Sequence, residues 1–165
     1  YELAYDGYWY GNTVTRHPTV SVELVNGEEQ GLGVPLPAGI VRVYKRDIDG
    51  ASELVGESRI VHTPRDEKVS LAVGQAFDIV GEWKQTERRD ISIWVQDVSY
   101  EVVVRNHKTE EVTLTLTQHP YAWGQWSVRK ATAGHRKTDN NTLQFDVVVP
   151  ADGETTVTYT IRNKW

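Results

Sequence analysis

The sequence predicts an all-β protein: an antiparallel β-sandwich, immunoglobulin-like or related, with about nine or ten strands. Three observations carry this reading. The 165 residues include 23 Val, 16 Thr, six Trp and eight Tyr, β-branched and aromatic side chains that suit a pleated surface. Apolar and polar residues alternate with period two along several segments, the pattern of strands with one buried and one wet face. Turn-forming residues recur at short intervals, at Asn26-Gly27, Asp49-Gly50, Asn106 to Lys108, Ala133-Gly134 and Asp152-Gly153. No window of about 12 residues sustains a helical period.

The chain opens on an aromatic segment, Tyr5 to Tyr10, in which Tyr8, Trp9 and Tyr10 stand together. It either makes a first strand or lets residues 1–16 contact a region upstream. Strands are expected at 19–25 with Val20, Val22 and Leu24 inward, then at 40–46, 57–62, 68–73 and 76–85. In the last of these, Phe77 and Trp83 share the parity of the core. Between the first two, Gly31 to Gly39 is apolar but contains Pro35 and Pro37 with three glycines. Proline cannot donate to a ladder, so this is an extended, proline-stiffened crossing segment.

From Asp90 to Asn106 the parity changes: Ile91, Ile93 and Val95 share one face, and Val98, Tyr100, Val102 and Val104 the other. One uninterrupted strand cannot do this, so a β-bulge or break is expected near Gln96-Asp97, with Trp94 half exposed. The cleanest alternation follows. Val112, Leu114 and Leu116 lie between threonines, Leu143, Phe145, Val147 and Val149 form a second stripe, and Val157, Tyr159 and Ile161 a third. A strand at 125–131 completes the set. Tyr121 to Trp126, with Trp123 and Trp126 around Gly124, reads as a loop or tight strand entry.

A chain of this length buries roughly 70% of its unfolded surface, so one domain over 1–165 needs no covalent staple. It has none to offer: there is no cysteine, which removes thiol nucleophiles, redox pairs and Cys-ligated zinc. Eighteen Lys and Arg face 23 Asp and Glu, for a net charge of −5. That balance argues against nucleic acid as a partner. The short basic pairs Arg88-Arg89 and Arg129-Lys130 read as solvated strand faces. No apolar run approaches the roughly 20 residues of a membrane span, so no membrane insertion is expected. Residue 1 is Tyr and no Met occurs, from which a processed or truncated piece of a longer protein is expected.

Several segments carry more than architecture. Gly31-Leu32-Gly33-Val34-Pro35-Leu36-Pro37-Ala38-Gly39 runs into Val41-Arg42-Val43-Tyr44, and His62-Thr63-Pro64 is followed by Glu67 and by Gly74-Gln75-Ala76-Phe77-Asp78-Ile79. Tyr100-Glu101 then leads to Arg105-Asn106-His107-Lys108, and Val149-Pro150-Ala151 to Trp165. In this order, over about residues 17–165, they resemble the C-terminal β domain of a bacterial family of unknown function (domain of unknown function 4139), related to the mucoidy inhibitor A proteins. The resemblance implies a secreted or envelope-associated protein with a further N-terminal region. It implies no catalytic residues.

The residues themselves nominate little chemistry. No GxSxG elbow is present, and the five His at 17, 62, 107, 119 and 135 show neither HxH nor HExxH spacing. Asp47-Ile48-Asp49-Gly50 opens like a calcium loop, but Ser58 stands where the bidentate Glu belongs, so a hairpin turn explains it. No catalytic residue, metal or cofactor is therefore expected. Glu57 and Asp78 are acids beside apolar neighbours, most simply solvent-facing. Binding residues are expected among Tyr8, Trp9, Tyr10, Trp123 and Trp126 and at Pro35 and Pro37. Aromatic faces pack on sugar C–H groups or on protein surfaces. The leading expectation is a non-catalytic interaction domain whose partner is a protein or the upstream region of the same chain. A glycan-binding module and part of a hydrolase completed upstream are the alternatives.

Overall fold

Strands account for most of the chain in the computed structural model, which describes residues 1–6, 13–47, 50–120 and 124–165. Thirteen are present among these residues: β1 (Glu2–Tyr5), β2 (Thr13–Arg16), β3 (Thr19–Val25), β4 (Gly39–Arg46), β5 (Ser52–Ile60), β6 (Lys68–Gln75), β7 (Ile79–Ser92), β8 (Val95–Asn106), β9 (Val112–Gln118), β10 (Gln125–Ala131), β11 (His135–Asp139), β12 (Thr142–Val149) and β13 (Gly153–Lys164). The helical content described is one 3-10 turn, Glu28–Gln30. The all-β class is as the sequence predicts, with three or so more strands. The additions are the short β1, β2 and β11, in which four or five residues give period two too little to repeat. Contacts group the chain into two compact units, residues 1–18 with 76–165, and residues 19–75.

The first unit is a sandwich. One sheet has the order β11-β12-β9-β1 and the other β10-β13-β8-β7-β2. Its described pairs are antiparallel except that β1 runs parallel to β9, with Leu3 opposite Leu116. All ten inward residues named on β9, β12 and β13 are 5% exposed or less. Each such side chain contributes about 1.5–3 kcal/mol on leaving water. Phe145 meets Tyr159 across the sheets at 4.8 Å between ring centroids, and Tyr5 stacks on Trp83 at 5.5 Å. A polar seam crosses this core. Trp83 Nε1 donates to the Tyr159 hydroxyl at 3.3 Å, which in turn donates to Gln118 Oε1. Burial pushes the Tyr159 phenol well above its ordinary value, so it remains a donor.

Three expectations are corrected here. The parity change lies at a hairpin, not at Gln96-Asp97: β7 ends at Ser92, Ile93 and Trp94 make the turn, and Ser92 pairs with Val95. A two-residue turn reverses the chain, and both strands then read as one run because neither central residue is a turn former. Phe77 is not core but 84% exposed. Its parity matches Ile79 and Trp83, but it sits in the turn before β7, where alternation no longer governs side-chain direction. Val22 is 42% exposed although Val20 and Leu24 are partly buried. The register shift beside Val20 leaves its extra residue, Val73, on β6, so β3 keeps one parity; the small core of this unit reaches Leu24 but not Val22.

The second unit pairs β3 with β6 and β4 with β5, all antiparallel. Its small core is Ile60, Val69 and Leu71, with Leu24, Leu36, Val41 and Val43 packed against it. Gly56 permits this closeness, because a Cβ there would stand 2.2 Å from the Val73 carbonyl oxygen.

One backbone corner is built in each unit. Asn26 follows β3 and Asn106 ends β8, and they are 0% and 1% exposed. Asn26 Nδ2 donates to the Val34 and Pro64 carbonyls at 2.7 and 2.9 Å, and Asn106 Nδ2 to those of Glu110 and Pro150 at 2.8 and 3.0 Å. Each Oδ1 accepts a backbone N–H, from Gly33 and from Lys108. Two residues past each proline stands an aspartate with positive φ, Asp66 at 65° and Asp152 at 46°. Their N–H groups donate to Asn26 O and Lys108 O, both at 2.9 Å. The strand that follows pairs antiparallel with the strand the asparagine closed, β6 with β3 and β13 with β8. A short side chain with two donors and an acceptor does this work, and asparagine is the natural one.

Candidate functional site

The proline-stiffened segment becomes a ledge on the second unit. Leu36 and Thr63 exchange both backbone hydrogen bonds, N to O at 2.9 and 3.0 Å. This bridge keeps the register of the β4–β5 ladder, in which Gly39 opposes Ile60 and Ile40 opposes Arg59. The ladder therefore continues past β4 and β5, but with prolines in place of donors. Leu36 turns inward to the small core and Thr63 is 8% exposed, while Pro35, Pro37 and Pro64 face out.

Local bonds hold the ledge in place. Asn26 grips it from beneath at Gly33, Val34 and Pro64, His62 Nδ1 accepts the Ala38 N–H at 3.3 Å, and Thr63 Oγ1 donates to Val61 O at 3.0 Å. Pro35, Leu36, Pro37, His62, Thr63 and Pro64 line a shallow hollow of about 660 Å³. Its surroundings are apolar to an extent a solvated hairpin end does not need: Val34 is 60% exposed, Ile40 61% and Val61 75%. Arg65 stands close by, with Glu28 and Asp66 as its ion-pair partners at 3.6 and 3.3 Å. Sequence reading found Pro35 and Pro37 but took Asn26 for an ordinary turn residue. Val61, the most exposed apolar side chain of this group, follows a strand and carries no signal of its own.

The aromatic candidates divide. Tyr8, Trp9, Tyr10 and Trp123 lie outside the described residues, as does part of the Asp47 to Gly50 turn. Trp126 stands at the entry to β10, the second of the two placements the sequence allows, and is 7% exposed. Its indole N–H donates to Asn140 O at 2.6 Å and Lys137 Nζ sits 4.4 Å from the ring centroid. Trp126 thus lines a hollow of about 610 Å³ with Lys137, Asn140 and Asn141, but offers no open ring face. Alternation failed to place it because the strand it begins is edge-on and mixed in polarity. Pro35 and Pro37 belong to the other unit from Trp126.

Nothing described assembles a catalytic centre. Glu57 pairs with Arg42 on an exposed strand face at 3.1 Å, and Asp78 is exposed in the turn before β7. The nearest approach to a nucleophile–base–acid arrangement is Thr142, His119 and Asp6. Thr142 Oγ1 lies 3.4 Å from His119 Nδ1, and His119 Nε2 lies 3.6 Å from Asp6 Oδ1. The Thr142 hydroxyl, however, donates to Asp139 Oδ2 at 2.9 Å, so its proton points away from the imidazole. Among the described residues no group of three His, Asp or Glu is placed to hold a metal ion. No known family, curated protein or solved structure matches the chain.

Proposed function

We propose that this chain is a non-catalytic interaction module of an exported bacterial protein, and that it docks a protein surface on the ledge formed by Val34, Pro35, Pro37 and Val61. The observation that carries the reading is the combination of apolar exposure with a locked backbone. Binding costs free energy wherever it must order loops and side chains, roughly 0.5–1.5 kcal/mol for each flexible side chain fixed. Proline and valine have little to lose, and Asn26 holds the backbone beneath them. The partner that suits such a surface presents apolar side chains to a shallow, pre-formed contact. The N-terminal region implied by the family resemblance is the first partner to test, and export rests on the same resemblance. A sugar platform finds less support, since Trp126 is closed off on one face by Lys137 and on its edge by Asn140.

The test compares side-chain labelling by hydroxyl radicals in residues 1–165 alone and joined to the N-terminal region that the family resemblance implies. Protection of Val34, Pro35, Pro37 and Val61 in the longer protein, lost in Val61→Asp, is the expected outcome. Equal labelling in the two proteins, with retention on immobilised glycans, would replace this reading with the carbohydrate one.

A further inference from the structure

The second exposed apolar feature belongs to the first unit. The hairpin of β7 and β8, strands of 14 and 12 residues, closes over Ile93 and Trp94. These side chains are 80% and 61% exposed, and Ile91 and Trp165 beside them are 44% and 46% exposed. Trp165 is tied to the tip by its N–H, which donates to Trp94 O at 3.2 Å. Solvated two-residue turns favour Asn, Asp and Gly. Neither Ile93 nor Trp94 has positive φ, so the turn does not require these residues, and an isoleucine next to a tryptophan in water is unfavourable without a use. The register shift between Asp90 and Ser92 leaves Ile91 as an extra residue, adding one more apolar side chain to the same end.

Behind this tip the charge reverses the sign of the whole molecule. The last four ladder rows of the sheet carry Arg88, Arg89, Arg162 and Lys164, and the register shift after Val128 adds Arg129. Against these five stand Asp90, Asp97 and, in the 165-residue chain, the α-carboxylate of Trp165, whereas the side chains of the whole molecule sum to −5. Arg162 is bound to Asp97 by two 2.7 Å hydrogen bonds, and Arg88 approaches Asp90 at 3.8 Å. Arg89 and Arg129 are near enough to Asp97 to help hold its carboxyl below the usual range. Among the described residues no carboxylate lies within 4 Å of the Arg89, Arg129 or Lys164 cations. The pairs Arg88-Arg89 and Arg129-Lys130, which read in the sequence as solvated strand faces, therefore supply three of the five charges at one end of one sheet.

We propose that this end of the sheet is an interfacial membrane-contact site for an anionic bilayer surface. Ile91, Ile93, Trp94 and Trp165 enter the headgroup region, and Arg89, Arg129 and Lys164 meet lipid phosphates. Tryptophan prefers the membrane–water interface, and the cations behind the apolar tip, Lys164 in the first ladder row, Arg89 in the third and Arg129 just past the fourth, are placed to meet phosphates with long side chains. The convex shape favours this partner over a protein. A hairpin end needs a complementary cavity in a protein partner, whereas a fluid bilayer accommodates it without one. The contact lies on the surface and spans nothing, which agrees with the absence, among the described residues, of any helix long and apolar enough to cross.

The experiment is co-sedimentation of the 165-residue chain with vesicles of phosphatidylcholine alone and of phosphatidylcholine with phosphatidylglycerol. The I93S/W94S variant and the R89Q/R129Q/K164Q variant run beside it. Their thermal transitions establish that each is folded, with I93S as a milder substitute. Binding to the anionic vesicles is expected to exceed that to neutral ones by roughly tenfold or more, and to fall by a similar factor in either variant and in high salt. No binding to anionic vesicles, or binding that I93S/W94S leaves unchanged, overturns the proposal. Self-association without vesicle binding, abolished by I93S/W94S, also overturns it and assigns the tip to a protein contact.

Discussion

Replacing Asn26 tests whether the ledge is held from beneath. In Asn26→Ala three backbone groups lose their partner: the carbonyls of Val34 and Pro64 and the N–H of Gly33. A buried polar group left unpaired costs about 1–3 kcal/mol. Val34 and Pro64 are exposed residues whose carbonyls can recover some hydration, so the low end applies to each. The expected loss is then about 3 kcal/mol, a factor of roughly 100 in the opening equilibrium of the ledge. Amide hydrogen exchange reads it at Leu36 and Thr63, whose N–H groups bond only across the bridge and should exchange faster by that factor. Asn26→Asp separates chemistry from volume. The carboxylate has the shape of the amide and keeps the acceptor for Gly33, but it replaces the donor with an oxygen that carries about half a negative charge and faces two carbonyl oxygens. Its effect should equal or exceed that of alanine. Exchange in Asn26→Asp within about twofold of the parent would refute the argument, since shape alone would then suffice.

Two further outcomes follow from the first unit. Tyr159→Phe removes the hydroxyl that joins Trp83 Nε1 to Gln118 Oε1 in a region where Trp83 is 1% and Gln118 3% exposed. Two buried groups lose their partner, and a loss of about 2–4 kcal/mol is expected in urea unfolding followed by tryptophan emission. Asp97 has its carboxyl held below the ordinary value, first by its hydrogen bonds to Arg162, so the unfolded chain binds the proton more readily. Its contribution to stability is present above the unfolded pKa, about 3.9, and is lost as pH falls through the folded value. Asp97→Asn should therefore flatten the decline in thermal midpoint below about pH 4, and an unaltered acid limb would show that other carboxylates govern it.

The legible parts of this fold are those in which a residue's neighbours along the chain also decide its environment. The stripes of β9, β12 and β13 are inward at every residue read as inward, because the strands are long and pair without a shift over those positions. Where that condition fails, so does the reading. Phe77 is one turn residue beyond the strand whose parity it shares, Val22 lies on a strand whose inward face the small core covers only in part, and the β7–β8 hairpin reads as one run because Ile93 and Trp94 are not turn formers. The two asparagine corners were open to a different kind of inspection. Asn26 lies 38 residues before Pro64 and Asn106 lies 44 before Pro150, each proline followed by x-Asp, but the variable length between hides the repetition from any fixed period.

Composition and alternation by themselves determined that the chain is all β, which side chains form the main core, and that Pro35 and Pro37 are kept out of any central strand. These are local consequences of covalent geometry: side chains alternate along a strand, and proline lacks an N–H wherever it stands. Only the tertiary structure decided that Asn26 anchors those prolines, that Trp126 is covered, and that Arg89, Arg129 and Lys164 gather behind Ile93 and Trp94. The grip of Asn26 on Pro64 and the gathering of the cations depend on pairing between strands 30 or more residues apart, and the cover on Trp126 comes from Lys137 and Asn140 on the next hairpin. Such partners are selected by packing and register, which alternation along one strand does not contain.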